Sequence, residues 1–266
     1  MDEINKINSL FKFSKFNLVF VNLMSTALIH ESGKKNISNQ KFFFNWGILW
    51  NALSPLIIVF GFALLMYIGL RGGYAIEYFL FILLFWFGFQ LTVGKGINLN
   101  IPKFLVNSPG ATVSTIVLAI YSNYILQLFI RFLICYFVLI ALNFKIHFVP
   151  LIIGFVLISL FTFSYSVIVS SLLHKSIFLK EMHVYFLTAL FFTSSVLIPV
   201  PQLPSPLRDA LLFNPLVHFF EWLKIPTTNI EYSFVDINYF LKFLLAMVIF
   251  TPISFFYKQK YLKEDL

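Results

Sequence analysis

The stretch Phe213-Asn-Pro-Leu-Val-His-Phe-Phe-Glu-Trp-Leu-Lys224, preceded by the proline-rich run Pro199-Val-Pro-Gln-Leu-Pro-Ser-Pro206, lies between the last two long apolar segments of the chain. Asn214 and Pro215 form a helix start: the Asn side chain accepts from exposed first-turn N–H groups, and Pro suits the first helical position. The helix that follows is aromatic and half apolar, and it is too short to cross a bilayer, which takes about 20 residues. His218 and Glu221 are three apart and share a face of it. The expectation is a re-entrant or interfacial element on the outer side of a membrane protein. Phe219, Phe220 and Trp222 then serve as interfacial anchors. A His218–Glu221 pair either latches the outer end of the helix or meets sugar hydroxyls.

Composition supports a membrane setting. The 266 residues are 59% hydrophobic and 11% charged, with a mean hydropathy of +0.88. Globular domains carry roughly 25% charged residues. One cysteine, Cys135, leaves no disulfide framework and no cysteine metal cluster. The net charge of +8 comes from residues that flank apolar segments, so it reads as membrane orientation and not as nucleic-acid binding. Met1 to Lys15 shows neither a short apolar core nor a small-residue cleavage site, so no signal peptide is expected there.

Residues 1–46 are amphipathic: Phe13, Phe16, Phe20, Leu23 and Ala27 recur at helical spacing, with Lys12, Lys15, Asn17 and Asn22 mostly elsewhere. This predicts an interfacial helix or a plain topogenic flank. Six spans follow within 47–257: about Gly47 to Leu70, Tyr78 to Val93, Val113 to Leu142, Phe148 to Leu173, Val184 to Ile198, and Tyr239 to Tyr257, the last interrupted by Pro252. The outer re-entrant segment covers about 200–238, and 258–266 form a tail. Lys and Arg set the orientation. Thirteen lie in the N-terminal segment, the second-to-third loop, the fourth-to-fifth loop and the tail. Four, Arg71, Lys145, Arg208 and Lys224, lie on the other side. Both termini are therefore expected in the cytoplasm. The fold class is an all-α polytopic membrane protein of six transmembrane helices.

Motifs for chemistry are sparse. No GxxxxGK[ST] occurs, Gly94-Lys95-Gly96 lacks the third Gly of a dinucleotide fingerprint, His30-Glu31 lacks the second His of HExxH, and no Gly-x-Ser-x-Gly is present. No catalytic or metal-binding set is assigned. Arg131 is the one firmly intramembrane charge. Burying it uncompensated costs about 2.5–3.5 kcal/mol or more, so it faces a partner, water or a pathway. It either lines a route for an anionic polymer or bonds to neighbouring helices. Between Lys95 and Thr112, Pro102, Lys103, Asn107, Pro109 and Gly110 break helices. A cytoplasmic element there either docks a soluble partner or is an ordinary turn. His174 to His183 reads as a solvated helix end.

Asn214 to Lys224 resembles the transmembrane subunit of type-2 ABC exporters for capsular polysaccharide, whose relatives export O-antigen and teichoic acid. The family carries Asn-Pro-Leu, then His, Glu and a basic residue near these spacings, and His218 favours the capsule branch. Weaker matches are Leu49-Trp50 through Pro55, Asn107 to Pro109, Glu181-Met182, and the tail from Tyr257 to Asp265. The chain departs from the family at Leu28 to Lys35, where no arginine stands. The resemblance implies a homodimer in the bacterial inner membrane, with two ATPase subunits that hold ATP and Mg and dock on loops such as the one carrying Lys103, Asn107 and Pro109. It implies no cofactor in this chain. It also implies lipid-linked polysaccharide as substrate, and a periplasmic co-polymerase and outer-membrane channel as further partners. The alternatives are export of O-antigen, teichoic acid or a drug, or a polytopic lipid-modifying enzyme.

Overall fold

The computed structural model describes residues 56–61, 76–97, 113–141, 143, 147–173, 176–196, 200, 203–228 and 233–264. The amphipathic segment 1–46, most of the first expected span, and Lys103, Asn107 and Pro109 lie outside them. The described residues are helical wherever they are regular. Residues 56–61 form a helical piece. After it come α1 (Ile76–Ile97), α2 (Val113–Ala141), α3 (Phe148–Leu173), α4 (Ile177–Thr193), α5 (Ser205–Leu211), α6 (Pro215–Thr228) and α7 (Ile237–Glu264).

Among the described residues four helices, α1, α2, α3 and α7, are long and apolar enough to cross a membrane. Among the described residues all regular structure is helical, and these four helices fit a membrane protein. α1 is the central one: 72% of its apolar window is buried within the chain, against 22% for α7. α7 instead leaves Leu245, Ile249, Ile253 and Phe256 exposed, a stripe at helical spacing that water would penalise and lipid would not.

Aromatic residues fill the interior. Trp86 of α1 packs on Phe89, Phe191 and Phe220. Phe132 of α2 meets Phe81, Phe85 and Phe155. Phe161 of α3 reaches Phe240 of α7, which in turn lies 4.8 Å from the Phe219 ring of α6. These offset and tilted rings hold the helices together by area and quadrupole. Gly154 lets α6 close on α3: a Cβ there would lie 2.7 Å from Leu223 Cδ1.

Several boundaries differ from the sequence expectation. α1 continues through Gly94-Lys95-Gly96 to Ile97, because tertiary contacts hold its last turn. α4 begins at Ile177, seven residues before Val184, where the Ser176 side chain accepts from the Leu179 N–H. It stops at Thr193, ahead of Ser195, whose φ is +58°. Its 17 residues extend about 25 Å at 1.5 Å each. Pro252 does not interrupt α7. The N–H it lacks would have met the Val248 carbonyl; one residue earlier, the Thr251 hydroxyl donates to Met247 O at 2.8 Å. The tail from 258 is thus largely a continuation of α7.

Candidate functional site

The site is built where α4 ends and α6 begins. α6 starts at Pro215, and Asn214 works in two directions. Its Oδ1 accepts from the Leu216 N–H at 3.0 Å. Its Nδ2 donates to Thr193 O at 3.2 Å and Ser194 Oγ at 3.0 Å. One side chain therefore satisfies an orphan donor of α6 and an orphan carbonyl at the end of α4.

Two turns further on, the Glu221 carboxylate gathers three donors on Oε1. The Ser195 hydroxyl donates to it, the Val200 N–H does so at 3.1 Å, and Lys224 Nζ at 2.8 Å. Lys224 also donates to Ser195 O at 3.2 Å and Ser195 Oγ at 3.0 Å. Glu221 and Lys224 are both buried. Burial pushes the Lys224 ammonium down from its ordinary value, and the carboxylate beside it works the other way. The positive φ of Ser195 costs energy in a non-glycine residue, and the three-way contact with Glu221 and Lys224 holds it.

His218 does not pair with Glu221. Its Nδ1 accepts from the Asp236 N–H at 3.0 Å, which leaves Nε2 to carry the proton and donate to Leu212 O at 2.9 Å. The ring stands edge-on to Tyr239, whose hydroxyl donates to Phe213 O at 3.3 Å. His218 thus binds the turn before α6 to the start of α7. Spacing placed His218 and Glu221 on one face, and residues remote in sequence chose the partners of each. Replacing His218 with Phe keeps the volume but strands the Leu212 carbonyl and the Asp236 N–H. It is expected to lower stability by about 1–3 kcal/mol, read as thermal unfolding in detergent.

The interfacial-anchor expectation also changes. Phe219 and Phe220 are fully buried, and only Trp222 is half-buried, packed on Phe219. α6 is enclosed by the bundle instead of lying with its aromatic face in the headgroups. His183, expected on a solvated helix end, is buried with its Nε2 2.9 Å from the Tyr165 hydroxyl.

Arg131 is buried on α2 and donates through Nη2 to Gln127 Oε1 at 3.4 Å. None of the bonds that build the α6 cluster involves it. Sequence reasoning missed Ser194, Ser195 and Asp236, and it took Lys224 as a charge on the outer side and as the basic residue of the motif, without pairing it with Glu221. The i,i+3 spacing of Glu221 and Lys224 was the available signal. Among the described residues, no group of three or more His, Cys, Asp or Glu side chains converges as a metal site.

Comparison with known protein families and with curated proteins finds no match for the chain.

Proposed function

We propose that this chain is the transmembrane subunit of an ATP-driven exporter that moves lipid-linked capsular polysaccharide across the bacterial inner membrane. The observation that carries the reading is the enclosed Asn214–Lys224 helix, a short element with a buried ion pair set among long apolar helices. A plain membrane anchor has no use for such a unit, because its charges cost desolvation that apolar side chains avoid. The resemblance of Asn-Pro-Leu-Val-His-Phe-Phe-Glu-Trp-Leu-Lys to the capsule exporters gives the reading its substrate class.

In this reading six spans cross the membrane with both termini in the cytoplasm. α5 and α6 re-enter from the outer side, and residues 1–46 lie in the interface. Two copies enclose the pathway. Two ATPase subunits supply hydrolysis and dock on the segment holding Lys103, Asn107 and Pro109. Arg131 meets the anionic polymer or its lipid phosphate, and aromatic surfaces accept sugar faces. Export of O-antigen or teichoic acid by the same architecture is the nearest alternative. A lipid-modifying enzyme would instead act in purified form without an ATPase.

Purification of the tagged chain from host membranes in mild detergent tests the assembly. Recovery of an ATPase subunit in equal proportion, with a chain-to-chain cross-link, is expected. A chain that purifies alone, without an ATPase and without a second copy, contradicts it.

A further inference from the structure

Lys258 reads from the sequence as a charge of a cytoplasmic tail, and the structure buries it. It leaves 5% of its surface exposed, and it reaches three other helices at once. Its Nζ donates to Gly96 O of α1 at 3.1 Å, the Tyr121 hydroxyl of α2 at 3.2 Å and Ser170 Oγ of α3 at 2.7 Å. An ammonium has three N–H donors, and each has an acceptor on a different helix. Around it, the Ser166 hydroxyl donates to Thr92 O at 3.3 Å, and Ser170 Oγ donates to Val167 O at 3.1 Å.

A second observation comes from the glycine. A Cβ on Gly96 would lie 2.3 Å from Ser166 Oγ and 2.6 Å from the Tyr121 hydroxyl. Only glycine lets α1 come this close to both neighbours. The three acceptors are neutral oxygens, so the arrangement lacks the Coulomb attraction of an ion pair. A buried charge of this kind is a poor source of stability, but it fixes one geometry. Gly96 is the next-to-last residue of α1, and Tyr121 lies about two turns into α2. The chain between these helices, 98–112, is where the exporter reading places the ATPase.

We propose that Lys258 is a positioning residue that fastens the adjoining ends of α1 and α2 to α3 and α7, so that a displacement delivered at those ends moves the whole bundle. The word displacement rests on the exporter reading, whereas the fastening does not.

The fastening is tested first, by amide hydrogen exchange on the purified full-length chain. Lys258→Met is expected to raise exchange about tenfold in the last turn of α1 and in α2 up to Tyr121, with α6 unchanged. Gly96→Ala gives the same pattern, and the double variant goes no further. Tyr121→Phe, which removes one acceptor and no charge, gives it at smaller amplitude. Wild-type exchange in all of these variants overturns the proposal. The coupling is tested in inverted host-membrane vesicles containing the native ATPase. Lys258→Met is expected to export about tenfold less polymer per ATP hydrolysed, while hydrolysis persists. An equal fall in both means packing alone and overturns the coupling role. If wild-type vesicles move no polymer on adding ATP, the exporter reading fails, and the exchange experiment still decides the fastening.

Discussion

Replacing Glu221 with alanine is expected to destabilise the protein by about 3–5 kcal/mol, the usual cost of removing one partner from a buried ion pair. The carboxylate accepts from Ser195, Val200 and Lys224 on one oxygen, and it is almost wholly enclosed. Without it the Lys224 ammonium loses its carboxylate partner, and the Val200 N–H loses its acceptor. Ser195 also loses a contact that holds its positive φ. Truncating both members, Glu221→Leu with Lys224→Met, is expected to recover most of the loss, because paired removal strands no charge. Thermal unfolding of the detergent-solubilised chain and its variants measures both effects. A Glu221→Ala protein that melts with the wild type would show that this pair does not hold the end of α4 to α6.

On the export reading, Arg131→Gln is expected to lower polymer export about ten- to hundredfold while the chain stays in the membrane at wild-type amount. Arg131 is buried, and it donates to Gln127 one turn away on its own helix. Glutamine keeps a donor near that position and removes the charge. The export reading has the guanidinium meet an anionic substrate. A hydrogen bond of that kind would contribute about 1.5–3 kcal/mol, and each 1.4 kcal/mol is a factor of about ten. The fall should therefore appear in transport and not in abundance. Surface polymer and membrane-inserted protein, quantified in the same cells, separate the two. Wild-type export in this variant removes Arg131 from the pathway.

How much of this was legible in the sequence depends on the range of the forces involved. Phe148 to Leu173 matches α3 at both ends, and the span from Val113 starts where α2 starts, because a long apolar run between polar breaks sets a helix locally. The Asn214-Pro215 start of α6 was legible for the same reason: a cap and a first-turn proline act on their own neighbours. Boundaries set from a distance were not. Gly94 and Gly96 look like a stop, yet α1 runs through them, with Lys95 over the Tyr124 ring and the Gly96 carbonyl held by Lys258. Pro252 looks like a break, and α7 continues past it.

The same division runs through the site. Sequence spacing placed His218 and Glu221 on one face of a helix. It could not say that His218 turns to Leu212 and Asp236 while Glu221 turns to Ser195 and Val200. Those partners come from the turns on either side, brought in by packing against Trp86 and Phe240. Lys258 was hidden for a related reason: a lysine beyond an apolar run resembles a solvated flank, and only the continued helix carries it back among α1, α2 and α3.

The most direct measurement is to delete the gene in its host and follow lipid-linked polysaccharide inside the cell and on the surface. The export reading predicts loss of surface polymer with accumulation inside, reversed by the wild-type chain and not by Arg131→Gln. Unchanged surface polymer in the deletion strain would contradict it.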